Sequence, residues 1–418
     1  MDNRAEGMER PMIREADVII AGGGMVGLTL ALALAQGGLK VVVADPMPKA
    51  AMLDSRFDGR VSALAYSSVR MFEALGVWKH LASEAQPILD ILVTDAALDR
   101  APGPFSLHFD HREIGEPMGS IAENRHIRRA LFAALEQAKT IELIAPAAVT
   151  QVEVDADRVH ASLSNGDEIS AALVVAADGR ESPLREQMGL KIISWSYPQV
   201  GIVATVAHQH PHHGTAYEHF LPSGPFAILP MTGNRSSLVW TEREDLAPDI
   251  LKLPADAFEA EVARRFGAHL GAIHVEGPRW SYPLKFHLAR GYAATRFALA
   301  GDAAHGIHPI AGQGLNLGLK DAAALAECVL DSARLGLDAG HGEALKRYER
   351  WRRFDSFTLA AATDGLNRLF SNDVAPLRIV RDLGLGLVDG IGPLRRFFMR
   401  HAGGDIGKLP RLLKGEAA

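Results

Sequence analysis

The feature that most constrains this chain is a glycine-rich turn between a short apolar strand and an apolar helix near the N-terminus. After Asp17 the sequence reads Val-Ile-Ile-Ala-Gly-Gly-Gly-Met-Val-Gly-Leu-Thr-Leu, in which Gly22, Gly24 and Gly27 have the G-x-G-x-x-G spacing. Such glycines permit a tight turn and let a pyrophosphate approach the N–H groups that begin the helix. A second apolar strand ends at Asp45, about 20 residues further on, where a carboxylate can accept from adenosine ribose hydroxyls. The pattern predicts a dinucleotide-binding unit of the Rossmann type.

The same stretch has a second interpretation as a membrane helix or signal peptide. Residues 18–35 carry no charge and approach the length that a bilayer requires. The glycines and the change from a strand pattern to a helix pattern argue against it, and so do the acidic residues of the preceding tail. We expect residues 1–15 to be a disordered tail.

Composition limits the class of protein. At 418 residues, 48% of them hydrophobic, the chain can form two domains or one nucleotide-binding domain with a large insertion. Its net charge of -6 gives no reason to expect nucleic acid as a partner. The single cysteine, Cys328, excludes an internal disulfide. Because it follows an Ala/Leu helical run, we expect a buried thiol and a reducing cytoplasm.

The apolar patterns predict an α/β fold in which the Rossmann-type domain is discontinuous. It would comprise residues 16–188 and 286–340. Within the first of these ranges, we expect the segment from about residue 77 to residue 118 to contribute partly to the substrate side. The segment 189–285 changes to strand patterns and predicts an inserted antiparallel β-sheet domain that supplies one wall of a substrate cavity. Residues 341–418 predict a helical C-terminal region.

A second motif follows a strand near the middle of the chain. Asp178 and Gly179 end that strand, and Ser182 and Arg185 complete the spacing D-G-x-x-S-x-x-R. By itself this spacing indicates a strand-to-helix turn capped by a serine.

The third motif suggests the chemistry. An apolar strand ends at Gly301 and Asp302, where a carboxylate can hold a ribityl hydroxyl of a flavin. The string 309–316 follows, and its Gly312 and Gly314 leave backbone N–H groups free at the start of a long helix. These groups can face the pyrimidine edge of an isoalloxazine ring and stabilise the anionic reduced flavin.

Together the three motifs resemble the single-component FAD aromatic hydroxylases, the para-hydroxybenzoate hydroxylase-like group A flavin monooxygenases. The string His-Pro-Ile-Ala-Gly-Gln-Gly-Leu-Asn-Leu-Gly from residue 308 resembles the signature of the ubiquinone-biosynthesis hydroxylases. Segments 195–199 and 224–230 are also similar to that family, and the resemblance extends from about residue 16 to 400. One departure is His219, where the family pattern has arginine; this puts in doubt any substrate role for that position.

The resemblance implies a set of site residues. Arg60 would reach the pyrophosphate, although a surface ion pair is its alternative. Asp178 and Arg185 would support the cofactor and the approach of nicotinamide. The flavin-ring loop, with no side-chain acid or base assigned, would contain Pro309, Gly312, Gln313 and Gly314. The contacts to FAD would come from Gly22, Gly24, Gly27, Asp45, Arg60, Asn124, Asp178, Gly301, Asp302, Gly312, Gly314 and Asn316.

The implied activity is hydroxylation of a polyprenylated phenol in ubiquinone biosynthesis, with electrons from NADH or NADPH and oxygen from O₂. No second complete dinucleotide fingerprint is present, so the reductant would visit transiently or another protein would supply electrons. A flavin dehydrogenase or prenyl reductase on the same scaffold is one alternative. A non-catalytic scaffold subunit of a quinone-assembly complex is another. Neither the ring carbon nor the tail length follows from the sequence.

Several remaining features have a functional and a structural interpretation. His305 and His308 can be acid/base groups or local hydrogen-bonding residues. The histidines between 208 and 213 lack the framing of a zinc site, and we expect no metal. Segment 374–399 combines apolar residues with Arg395 and Arg396. This combination predicts a surface that contacts either the cytoplasmic face of a membrane or partner subunits. The structural alternative is a pair of helices packed on the rest of the protein.

Overall fold

The computed structural model of the chain describes residues 13–95, 106–308, 312–370, 388–405 and 407–418. Its strands are β1 (Ile13–Glu15), β2 (Val18–Ala21), β3 (Val41–Ala44), β4 (Val61–Ala65), β5 (Ala85–Ile88), β6 (Asp90–Asp95), β7 (Ser106–Asp110), β8 (Gly119–Glu123), β9 (Ile141–Ile144), β10 (Val149–Val154), β11 (Val159–Leu163), β12 (Glu168–Ala171), β13 (Leu173–Ala176), β14 (Ile192–His208), β15 (Thr215–Leu221), β16 (Gly224–Met231), β17 (Arg235–Arg243), β18 (Ile273–Ala289), β19 (Ala293–Ala294), β20 (Phe297–Leu299) and β21 (His305–Gly306).

The α-helices alternate with these strands in the first half of the chain and dominate the last quarter. They are α1 (Met25–Gln36), α2 (Lys49–Met52), α3 (Tyr66–Ala74), α4 (Asn124–Leu135), α5 (Pro183–Gln187), α6 (Ala247–Lys252), α7 (Ala255–Phe266), α8 (Gly314–Arg334), α9 (Gly342–Phe370) and α10 (Gly392–Ala402). The predicted α/β class, with an antiparallel sheet inserted into a Rossmann-type domain and a helical C-terminal region, is confirmed.

The nucleotide-binding part is a six-stranded sheet of order β19-β20-β13-β2-β3-β9. All its neighbouring strands are parallel except the short edge pair β19 and β20. Parallel strands bring their carboxyl ends to one edge of a sheet, which is where ligands bind in such folds. The turns that follow β2, β13 and β20 therefore meet there, although they lie more than a hundred residues apart in the chain.

Helices α1 and α8 pack against this sheet and against each other. Residues 27–34 of α1 are buried on every side, as expected for an Ala/Leu helix enclosed between a sheet and a second helix. Tyr348 of α9 and Leu412 near the C-terminus are buried in the same core, so the C-terminal region extends this core.

The inserted sheet has eight strands in the order β21-β18-β14-β17-β16-β15-β6-β7. One face packs on α6 and α7 through a core that includes Phe226, Trp240 and Phe258. The other face is turned toward β4 and the C-terminal helices, and its apolar cluster includes Phe220, Met231 and Met399. This second face provides one wall of the site described below.

Two sequence-based boundaries differ from the structure. The predicted disordered tail is wrong for Ile13–Glu15, which form β1 and pair with β12. Ile13 pairs with Glu168, 155 residues later in the chain, so no local sequence pattern indicates this strand. The predicted boundary at 285/286 cuts the continuous strand β18. Strands β6 and β7 lie in the segment 77–118 that the sequence predicts to contribute partly to the substrate side, and they extend the inserted sheet because β6 pairs in parallel with β15.

Within the described ranges, no helix has the length and apolar character that a bilayer crossing requires. The uncharged N-terminal stretch is instead the strand β2, the glycine turn and the helix α1.

Candidate active site

The first glycine turn has three glycines with three different tasks. A side chain on Gly22, which has φ +110°, would collide with the carbonyl of Ala177. A side chain on Gly27 would collide with the carbonyl of Gly22. Gly24 has open space around it and precedes α1 without any side-chain cap, so the first N–H groups of that helix are available to an anion.

Asp45 is held at the same edge by backbone hydrogen bonds. Its Oδ2 accepts from the N–H of Gly23 at 2.7 Å, and its Oδ1 accepts from the N–H of Met47 at 2.7 Å. These bonds fix the carboxylate beside the glycine turn, where the sequence predicts the adenosine ribose. The ribose contact itself stays a prediction.

The second motif connects two of the turns. Ser182 Oγ accepts from the N–H of Arg185 at 3.0 Å and caps α5, as its spacing predicts. The buried Arg185 donates from Nη1 to the carbonyl of Ala303 at 3.0 Å. Asp178 has a buried Oδ1 without a partner, and burial raises the pKa of its carboxyl. Arg185 therefore positions the turn after β20 through its backbone.

The third motif forms a tight turn at the end of β20. Gly301 has φ +63°, a conformation that favours glycine, and its N–H donates to Asp321 Oδ2 at 2.9 Å. The side chain of Asp302 is exposed and lines a cavity, while its carbonyl oxygen is 2.8 Å from His287 Nε2. The carboxylate of Asp302 is therefore free to accept from a ligand.

Sequence reasoning missed a buried charge network behind this turn. Asp321 of α8 lies 2.6 Å from His305 Nε2 and 2.7 Å from Arg352 Nε, and all three side chains are at most 1% exposed. Burial alone would raise the pKa of Asp321, but His305 and Arg352 together lower it. The available signal was a carboxylate at Asp321, directly before the apolar run Ala-Ala-Ala-Leu-Ala of α8. The network also assigns His305 a structural partner.

The loop before α8 contributes backbone rather than side chains. Gly312 has φ +62° and packs closely against Ala63, while Gly314 begins α8 with open space around it. Gln313 donates from Nε2 to the carbonyl of Ala402 at 3.2 Å. Pro309, predicted to border the flavin ring, lies outside the described residues.

The side chain of Asn316 has protein partners, and its predicted contact to FAD stays a prediction. Its Oδ1 accepts from the N–H of Ala65 and from Ser68 Oγ, both at 2.9 Å, and its Nδ2 donates to the carbonyl of Ala63 at 2.9 Å. All of these partners belong to the β4–α3 connection. The side chain therefore joins the start of α8 to that connection, because a buried amide must satisfy both ends.

Arg60 and Asn124 also have protein partners. Arg60 donates from Nη2 to Asp58 Oδ2 at 2.6 Å and is 53% exposed, which is the surface ion pair that the sequence left open. Asn124 accepts from Ser62 Oγ at 2.7 Å through its Oδ1. Their predicted contacts to FAD stay predictions. For Arg60, such a contact requires the guanidinium to leave Asp58.

A cavity of about 460 Å³ lies where the first and third motifs meet the inserted sheet. The sheet contributes Leu229, Val239 and Tyr282 to its wall. Of the predicted site residues, the cavity is lined by Gly24, Gly27, Asp302, Gly312 and Gly314. Gly22, Asp45, Asp178 and Gly301 shape the turns behind this wall. A larger cavity of about 990 Å³ lies between β18 and α9 and includes none of the glycine motifs, so we assign the site to the smaller one.

The cavity fits the flavin cofactor that the sequence predicts. Gly24 and Gly314 offer backbone at two helix N-termini, and neither has a protein atom within 4 Å of the position a side chain would take. Asp302 adds an exposed acceptor between them. Phosphate, ribityl and ring parts of a dinucleotide require this combination of donors and acceptor.

His308 and Cys328 lie in buried surroundings. His308 is buried against the ring of Tyr197, and burial lowers its pKa to about 4. No group of side chains suited to a metal ion occurs in the described part of the chain. Cys328 is a buried free thiol whose pKa burial raises to about 12. It is a small apolar core residue, as predicted.

Comparison with known proteins identifies the family. Residues 15–354 match the FAD binding domain family. The chain is 51% identical to ubiquinone hydroxylase UbiL of Rhodospirillum rubrum over 96% of this chain and 93% of the relative. It is 34% identical to 3-demethoxyubiquinol 3-hydroxylase of Escherichia coli over 92% and 98%.

Solved structures agree on the fold. A p-nitrophenol 4-monooxygenase from Pseudomonas putida superimposes with a TM-score of 0.77 at 19% identity, over 95% of this chain and 100% of that one. The glycine turns, the cavity and these relatives lead to one assignment. The chain belongs to the ubiquinone-biosynthesis hydroxylases, which are FAD-dependent monooxygenases.

Proposed function

We propose that the enzyme hydroxylates the aromatic ring of a polyprenylated phenol, with NADH or NADPH as the electron source and O₂ as the oxygen source. The observation that carries this proposal is the cavity in which the glycine turns face an apolar sheet wall. An apolar wall suits a prenylated ring, and the names of the relatives refer to ubiquinone and demethoxyubiquinol.

Each predicted contact has a defined task in this proposal. The N–H groups after Gly24 would hold the pyrophosphate, Asp45 the adenosine ribose and Asp302 the ribityl chain. The backbone from Gly312 to Gly314 would face the ring. When bound, FAD would supply the redox chemistry that uses two electrons from the nicotinamide to place one oxygen atom of O₂ on the ring and to release the other as water. The protein's own residues orient the phenol and exclude water from the cavity.

We propose that the enzyme contacts the membrane or a partner subunit through helix α10. Arg396, Phe397, Phe398 and Arg400 are exposed on this helix, and the phenylalanines are 52% and 42% exposed. An apolar and basic surface of this kind suits the anionic cytoplasmic face of a membrane. We therefore place the enzyme in the cytoplasm, with peripheral contact to the membrane or to subunits that hold the lipid substrate.

The test of the proposed function is isotopic. The purified holoenzyme is incubated with NADH or NADPH, a short-chain prenylated phenol and ¹⁸O₂, and the product is analysed by mass spectrometry. We expect rapid oxidation of the nicotinamide and one labelled oxygen atom on the ring. Oxidation of the nicotinamide with a reduced prenyl tail and no labelled product would instead establish the prenyl reductase alternative. A dehydrogenated product that forms without consumption of the nicotinamide would establish the dehydrogenase alternative.

A further inference from the structure

Glu218 is a carboxylate on β15 that has no hydrogen bond or ion pair with any residue of the described ranges. It is half-buried. Burying a carboxylate, even in part, without a hydrogen-bond or ion-pair partner lowers the stability of the folded protein. The position of Glu218 in the inserted sheet indicates which ligand group it can bind.

The register of the inserted sheet places Glu218 on the cavity side. Glu218 pairs with Ala227 of β16, and Ala227 pairs with Val239 of β17. Directly paired residues of an antiparallel sheet point to the same face. Val239 and Leu229, two residues after Ala227, both line the cavity. Glu218 therefore projects from the sheet face that forms the cavity wall.

The neighbouring residue shows that this placement is specific. His219 points to the opposite face, because successive strand residues alternate. Its Nδ1 lies 2.8 Å from Thr94 Oγ1. The pKa of His219 is lowered to about 4, mainly because the ring is buried and to a smaller extent because His269 is nearby. A substrate role in this segment thus falls to Glu218 and not to His219, where the family pattern differs.

Other polar groups on the same face also lack partners. The hydroxyls of Thr205, Ser237 and Thr241 are buried without a hydrogen bond. Thr205 pairs with Ser237, which pairs with the cavity residue Leu229, and Thr241 follows Val239 by two positions. Unpaired polar groups on an otherwise apolar wall are typical of a ligand site. These three hydroxyls lie within the same sheet face, behind the side chains of Leu229 and Val239 that line the cavity.

The surroundings of Glu218 are apolar. On its own strand it lies between Ala216 and Phe220, which are buried in the cluster on the cavity side. Val93, its partner on β6, belongs to the same cluster. Burial raises the pKa of the Glu218 carboxyl to about 7. A carboxylate in such an environment forms stronger hydrogen bonds than one in water.

We propose that Glu218 binds the phenolic hydroxyl of the aromatic substrate in the cavity beside the sheet. This inference rests on the proposed function and adds the residue that recognises the substrate's polar group. The hydroxyl donates to the carboxylate, and no covalent bond forms or breaks. A phenol that donates in this way has higher electron density at its ortho and para carbons, so one contact both orients the ring and prepares it for hydroxylation.

The experiment compares two ligands in two proteins. Holoenzyme is titrated with 2-geranylphenol and with its methyl ether, and binding is followed by the change in flavin absorbance. We expect the wild-type enzyme to prefer the phenol by about tenfold or more, because the ether cannot donate and leaves the carboxylate unpaired. Glu218→Gln is expected to lose most of this preference while it retains FAD. Glu218→Asp keeps the charge and should retain an intermediate preference.

The control is Glu244→Gln, the same substitution at an exposed position beyond β17, which should keep the full preference. If Glu218→Gln keeps it too, the hydroxyl binds elsewhere and the inference is overturned, although hydroxylation with ¹⁸O₂ would still support the proposed function. If the wild-type holoenzyme neither binds nor hydroxylates 2-geranylphenol, both the proposed substrate class and this inference fail.

Discussion

Two aspartates near the turn after β20 lie in opposite environments. Asp302 is exposed to the cavity, whereas Asp321 is fully buried and accepts from His305, Arg352 and the N–H of Gly301. A carboxylate with all its partners inside the protein stabilises the fold, and one that faces a cavity is available to a ligand. The two positions therefore predict different consequences of mutation.

Asp302→Ala is expected to weaken FAD binding between about tenfold and a hundredfold, because it removes one hydrogen bond to a charged acceptor. The fold should be unaffected, since no described side chain depends on this carboxylate. Flavin retention after gel filtration and the dissociation constant from fluorescence quenching measure the effect. Asp245→Ala, at an exposed aspartate just after β17, is the control. Full flavin occupancy in Asp302→Ala would move the ribityl contact to another residue.

Asp321→Asn should destabilise the protein by about 3–5 kcal/mol at neutral pH, because the buried Arg352 loses its main partner. The pKa of Asp321 is lowered in the folded state, so its stabilisation is complete above the unfolded pKa of about 4 and disappears as the pH falls through the lower folded value. Thermal unfolding of both proteins between pH 7 and 3 tests this. A difference that grows in acid would contradict the assignment.

At the scale of elements, the start of α8 combines a rigid attachment with an open backbone. Asn316 joins the helix to β4 and α3, and Gly312 packs against Ala63. Gly314 touches no protein atom at the position of a side chain. The first N–H groups of the helix are therefore held in place but remain accessible, which is the arrangement that electrostatic stabilisation of an anion requires.

Gly314→Val tests this arrangement without disturbing the fold. An added Cβ meets no described atom within 4 Å beyond the neighbouring residues and the backbone of its own helix, so thermal stability of the apoprotein should change little. In the holoenzyme it would occupy the space that the flavin ring approaches, and we expect flavin reduction or hydroxylation to slow about tenfold or more. Gly342→Val, at the equally open first residue of α9, is the matched control. Unchanged turnover in Gly314→Val would show that this segment is only a turn.

The elements that sequence could predict are those with a local cause. The glycine turn after β2 and the Asn165-Gly166 turn between β11 and β12 follow from conformations that glycine favours. Strand β1 was not predictable, because its partner β12 lies 155 residues away in the chain. A three-residue strand such as β1 has no periodicity to detect.

At the scale of the molecule, the site was predictable where it consists of backbone. The glycine motifs specify conformation, and parallel strands then bring their ends to one edge regardless of sequence distance. The roles of side chains were less predictable. Asn316 has protein partners that depend on tertiary packing, and the position of Glu218 relative to the cavity follows only from the register of the inserted sheet. Arg60 pairs locally with Asp58, which is the surface ion pair that the sequence analysis gave as its alternative.

The prediction of an exposed basic surface at Arg395 and Arg396 needs one correction. Arg395 is not a free surface cation, because its Nη2 lies 2.8 Å from Glu113 and its Nη1 3.5 Å from Asp389. Met399 is buried in the cavity-side cluster. Helix α10 is thus fixed to the protein on one side, while Arg396, Phe397, Phe398 and Arg400 remain exposed. Most of the upstream segment lies outside the described residues.

A test of membrane contact must therefore spare Arg395. Arg396→Glu with Arg400→Glu should weaken binding to anionic liposomes by about tenfold or more, since each basic residue near such a surface contributes about 1 kcal/mol. FAD content should not change, because neither residue lines the cavity. Flotation with phosphatidylglycerol vesicles measures binding, and Arg56→Glu with Arg112→Glu provides an equal charge change at two other exposed arginines. Equal flotation of both double variants and the wild type would leave α10 a structural helix and require another route for the lipid substrate.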